Sequence, residues 1–168
     1  RYLFSADDYD LFEEQKDYEA QRNRLSEKRQ AALSEIMGNG DFARCMDFAR
    51  EVAIPYKVGQ TLGELADERI ESEILPSQLN TEDEVLERVV AGFIWGRYRE
   101  RGIQWVDHIL EQHWNPHQCA QFLLLLPFQQ EIWERALSYL DESHEDLYWK
   151  HVNTRVGVWT WNDRIVIE

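Results

Sequence analysis

The chain has 168 residues, 43% of them hydrophobic and 12% aromatic, which suits one folded core and excludes an intrinsically disordered chain. A formal net charge of −14 repels nucleic-acid phosphates and anionic lipid, so neither is expected as a general partner. Two cysteines, Cys45 and Cys119, are too few for a disulfide framework, and the longest apolar run, 122–128, is broken by Pro127 and too short to span a bilayer.

A reducing, cytoplasmic setting is therefore expected. No signal peptide is present, and a chain that starts at Arg1 and stops at Glu168 reads as a piece of a longer polypeptide. Residues 1–6 read as irregular, with Tyr2, Leu3 and Phe4 available for docking. Residues 7–37 contain neither Gly nor Pro and are dominated by helix formers, which predicts one long charged helix. Leu11, Tyr18, Leu25 and Ala32 recur every seven positions, but Gln15, Arg22 and Arg29 hold the other seam. A helix packed along a narrow stripe fits better than a coiled coil. The basic group Arg22, Arg24, Lys28 and Arg29 is interleaved with acids, which favours a salt-bridged face over a phosphate-binding one.

Gly38-Asn39-Gly40 predicts a turn, and Asp41 a cap for a helix that buries Phe42, Cys45, Met46 and Ala49. Pro55 opens the next helix, expected to reach about Glu73 with Val58, Leu62, Leu65, Ala66 and Ile70 inside. Residues 75–80 read as a loop. Thr81 and Glu84 form a capping-box pattern for a helix ending at Gly102, acidic at its start and carrying Arg97, Arg99 and Arg101 at its end. Gly59 and Gly63, and again Gly92 and Gly96, lie four apart within predicted helices. Glycine there costs about 1 kcal/mol, so close helix–helix approach is expected, and the second pair also suits an oligomer contact.

A short helix from Ile103 leads to three more in quick succession, starting near Pro116, Pro127 and Ser143. The second places Phe128, Ile132, Trp133, Ala136, Leu137 and Leu140 at helical spacing. Trp133 and Trp149 are read as core. Residues 156–168 suit either a hairpin turning at Asn162-Asp163 or a further helix capped by Asn162, and the helix fits the all-helical context better. The expected fold is all-α. Short antiparallel hairpins stack as an irregular α-solenoid or orthogonal bundle in a single domain over 1–168, after one long N-terminal helix.

His108, His113 and His117, with Cys119, Asp107 and Glu111 nearby, are the densest group of metal-ligand types. Asn115-Pro116 interrupts any single helix joining His113 to His117, so surface or structural histidines are favoured over a metal-dependent hydrolase. Stoichiometric zinc lost with both histidines would reverse that ranking. No nucleophile elbow, phosphate-binding loop or dinucleotide fingerprint occurs, so neither an enzyme nor a cofactor is expected. The run Leu126-Pro127-Phe128, with Trp133, Tyr148-Trp149 and Val152, resembles a motif in α-helical, HEAT-like repeat regions of very large bacterial proteins. That resemblance implies a scaffold or sensor region, in some cases beside an ATPase or nuclease module of a defence system. A protein–protein interaction role follows, towards a protein partner or other domains of the same polypeptide. Trp159 and Trp161 are the candidate anchors and Arg97, Arg99 and Arg101 a polar rim.

Overall fold

A computed structural model describes residues 2–4, 18–38 and 41–152. Among them are nine α-helices, one short 3-10 helix and no strand, so the all-α class holds. The expected helix over 7–17, the alternatives for 156–168, and Trp159 and Trp161 lie outside the described residues. The chain divides into two compact helical units, Arg1–Glu100 and Arg101–Glu168.

In the first unit, α1 (Tyr18–Met37) buries Arg29, Leu33 and Met37, four residues apart. The stripe is narrow as expected, but it follows the helical period rather than the heptad, and Leu25 and Ala32 are only half-buried. Gly38 ends the helix in the left-handed region at φ +55, with its N–H on the Ser34 carbonyl at 3.1 Å. The 3-10 turn Tyr2–Phe4 is held to α1 by Arg29, whose Nε–H donates to the Leu3 carbonyl at 2.7 Å. Phe4 then meets Phe48 of α2 (Phe42–Arg50) edge-on at 5.2 Å. Asp41 caps α2 through the Ala43 N–H at 2.9 Å, and Cys45, Met46 and Ala49 form its buried face.

After Pro55 the chain makes two helices where one was expected, α3 (Pro55–Leu65) and α4 (Glu68–Ile74). The Asp67 carboxylate accepts from the Ile70 N–H at 3.0 Å and starts a fresh helix. That hydrogen bond is also the main reason its carboxyl sits below the usual range. At the break Leu65, expected inside, is 37% exposed. The cap of α5 (Glu84–Arg101) is Asp83, not Thr81. Asp83 Oδ1 accepts from the Val85 and Leu86 N–H groups at 2.9 and 3.1 Å, and Thr81 only steadies the Asp83 N–H at 3.2 Å. The Leu86 N–H, and then the Arg50 guanidinium at 2.9 Å, hold the Asp83 carboxyl low.

The four glycines interlock where α3 crosses α5. The hydrogen of Gly59 that a side chain would replace points at the Val89 carbonyl, and that of Gly63 at the Phe93 carbonyl. In return Gly92 points at the Tyr56 carbonyl and Gly96 at that of Gln60. Each helix thus presents two Cα–H groups to two carbonyls of the other, a geometry worth about 0.5–1 kcal/mol per contact. Both glycine pairs are spent inside this unit, so Gly92 and Gly96 do not form an oligomer face. Beside the crossing, Arg97 reaches α4 and donates from Nη2 and Nε to Glu71 Oε2 at 2.7 and 2.9 Å.

The second unit contains α6 (Ile103–Leu110), α7 (Pro116–Leu124), α8 (Gln130–Tyr139) and α9 (Glu142–His151). Asn115 and Gln118 form a reciprocal capping box that fixes the start of α7, at 2.9 and 3.1 Å. α8 starts at Gln130, three residues after the expected Pro127, because Gln129 is still extended. The cap of α9 is Asp141 rather than Ser143. Its carboxylate accepts from the His144 N–H at 3.0 Å and the Ser143 hydroxyl at 2.8 Å. It also lies 2.7 Å from His144 Nδ1, and these bonds, the imidazole first, hold it down at about 2. Phe122 lies at the centre of the core, edge-on to Trp105 at 5.5 Å and to Trp114 at 5.6 Å. A two-bond ion pair from Arg135 to Asp107, at 2.8 and 2.9 Å, ties α8 to α6.

Tyr148 is fully buried, and its phenol oxygen has no hydrogen-bond partner among the described residues. Burial pushes its pKa up to about 12. Removing a buried unsatisfied polar atom without leaving a large cavity is close to neutral or favourable. Tyr148→Phe is therefore expected to leave the melting temperature unchanged or raise it in scanning calorimetry. A loss above about 1 kcal/mol would show that the hydroxyl contributes a hydrogen bond.

Candidate interaction surface

Pro127 and the extended Gln129 carry Phe128 across the start of α8. There its ring stacks on Trp133 with centroids 6.0 Å apart. Trp149, from α9, meets both rings edge-on, at 6.5 Å from Phe128 and 6.0 Å from Trp133. The described residues do not seal the group. Trp149 is 38% exposed, and Leu137, one turn beyond Trp133, is 53% exposed. Helix α8 satisfies its own core with Ile132 and Ala136, which leaves Trp133 and Leu137 on the adjoining face. The expectation that Trp133 and Trp149 are core is corrected accordingly. The missed signal was the small residue Ala136 paired with Ile132, which completes a buried face without the tryptophan.

Acidic groups adjoin these aromatics. Glu145 accepts from the Trp149 Nε1–H at 3.1 Å, and Glu134, Glu142 and Asp146 are exposed along the same two helices. Arg135 is held by Asp107 and by the Glu131 carbonyl at 2.9 Å, so its charge is neutralised locally. Asp107, through its hydrogen bond, also raises the Arg135 pKa.

The other sequence-derived candidates fare unevenly. Arg97 is 2% exposed and paired with Glu71, so it belongs to the interior and not to a polar rim. Arg99 and Arg101 are exposed. His108 is exposed on α6, and His113 is exposed in the following loop at φ +60. His117 is half-buried on α7, with its ring 6.1 Å from that of His144. Asp107 is committed to Arg135, and the Asn115 cap separates His113 from the α7 helix. Among the described residues no group of three or more His, Cys, Asp or Glu side chains could hold a metal ion. Cys45 and Cys119 are buried and unbridged; burial pushes the Cys45 thiol up to about 12 and raises Cys119 as well. Neither offers a thiolate nucleophile.

Comparison with family models, curated proteins and solved structures gives no match for this chain. Among the described residues no helix is long and apolar enough to cross a membrane.

Proposed function

We propose that this chain is a non-catalytic protein–protein interaction or scaffold module of a larger, cytoplasmic bacterial protein. The observation that carries this reading is the half-open Phe128–Trp133–Trp149 group with Leu137 beside it. Tryptophan dominates interface energetics, and an aromatic anchor with a charged margin is the usual form of a recognition surface. The exposed Glu134, Glu142 and Asp146 set the chemistry of the partner as an amphipathic helix with basic residues flanking its apolar face. All three of these aromatic residues also carry the resemblance to bacterial helical-repeat regions, which supports a scaffold role. Nothing favours a hydrolase using His108, His113 and His117, since among the described residues these three are not gathered into a group that could hold a metal ion.

Titration calorimetry with a synthetic amphipathic Lys–Leu helix tests the reading. Binding is expected to weaken with salt, and Trp149→Ala should remove about 2 kcal/mol, with Leu137→Ala smaller. Equal binding of a matched Glu–Leu helix, or an affinity indifferent to Trp149→Ala, would sink it.

A further inference from the structure

Helix α9 ends at His151, and Val152 is already extended at φ −60 and ψ 129, so the chain leaves the helix within one turn of Trp149. The sixteen residues that follow, 153–168, lie outside the described ones. Their composition differs from that of the rest of the chain. Arg155 and Arg164 balance Asp163 and Glu168, so the whole net charge of −14 is carried by the residues before them. Between the two arginines stand Val156, Val158, Trp159 and Trp161, with no acidic residue before Asp163. An apolar stretch between basic residues is the chemistry that the half-open Phe128–Trp133–Trp149 group and its acidic margin select.

We propose that residues 153–168 occupy this surface in the free chain, with Trp159 and Trp161 against Trp149 and Leu137 and the two arginines towards Glu134, Glu142 and Asp146. The proposal rests on the reading of that surface given above and adds its regulation: a partner helix binds by displacing the segment. An extended chain advances about 3.3 Å per residue, so Trp159, seven residues past Val152, can reach about 20 Å. The ring centroids to be covered are no more than 6.5 Å apart, so length imposes no barrier. Tryptophan left in water forgoes a large apolar burial, and the exposed Trp149 and Leu137 forgo the same. A short connection also holds the segment at about millimolar effective concentration beside the surface, so even a weak contact fills it.

Magnetic resonance spectra of the whole chain read the contact without any partner. The Trp159→Ala/Trp161→Ala variant should shift the Trp149 Nε1–H and Leu137 methyl resonances and leave those of Trp105, buried on α6, in place. In titration calorimetry the same variant should bind the Lys–Leu helix about tenfold more tightly than the parent chain, because a site covered about nine-tenths of the time loses that factor. Arg155→Glu/Arg164→Glu should act in the same sense. Unmoved Trp149 and Leu137 resonances in both variants overturn the proposal, and so does a helix affinity equal in parent and variants. A spectral difference that vanishes on dilution assigns the cover to a second copy of the chain and overturns it as well. Shifts as expected, with no helix bound by any form, leave the contact standing and remove the partner reading instead.

Discussion

Gly59→Ala and Gly63→Ala are each expected to lower the melting temperature of the first unit by more than about 10 °C. A Cβ on Gly59 would collide with the Val89 carbonyl oxygen and lie 2.7 Å from its carbon. One on Gly63 would collide with the Phe93 carbonyl oxygen and lie 2.9 Å from the Arg97 nitrogen. These neighbours are backbone, so no rotamer change relieves the contact and the two helices must separate. Alanine returns at most about 1 kcal/mol of helix propensity. Overpacking typically costs about 1–3 kcal/mol, and displacing a helix backbone lies at or above the top of that range. The double variant Gly59→Ala/Gly96→Ala should not fold, against a total stability of about 5–15 kcal/mol. Gly102→Ala is the control: nothing lies within 4 Å of its Cβ position, and only its φ of +66 is strained, at about 1–2 kcal/mol. A Gly59→Ala protein that melts at or above the wild-type temperature would mean that the crossing tolerates a side chain.

Removing one half of the buried ion pair should be comparably damaging. Arg97 and Glu71 are 2% and 10% exposed at their side chains, so Arg97→Ala leaves a buried carboxylate without its guanidinium. Breaking such a pair costs about 3–5 kcal/mol, whereas replacing both members with apolar residues of similar volume is neutral or favourable. Arg97→Met/Glu71→Leu is accordingly expected to recover most of the stability that Arg97→Ala loses in urea denaturation. A double variant as unstable as the single one would show that the pair contributes more than its desolvation costs, through the further contacts of Glu71.

The helical class was legible because the 3.6-residue period survives throughout 41–152. The boundaries that were misplaced share a cause. Asp67, Asp83 and Asp141 each start a helix, and in a chain with 32 acidic residues a capping aspartate does not stand out from its neighbours. Asp41, beside a glycine turn, caps α2 as expected, and α7 starts at Pro116 as expected. The glycine spacing announced a close approach because it is local to each helix. The role of Arg97 was hidden, since its partner lies 26 positions away and its alternation with Arg99 and Arg101 imitates a charged helix end. Of the interaction surface, the aromatic residues were visible but their sidedness was not. Spacing alone gives the faces of a helix without saying which one its neighbours cover.

The reciprocal crossing of α3 and α5 also governs how this chain can change over evolutionary time. Surface charges and exposed capping groups can be exchanged with small losses of stability. The four crossing glycines have no such neutral neighbours, because every alternative side chain meets backbone. Descendants that have lost all other resemblance should still carry two G-x-x-x-G pairs flanking a short acidic helix, and that spaced pattern is the mark by which distant kin would be known.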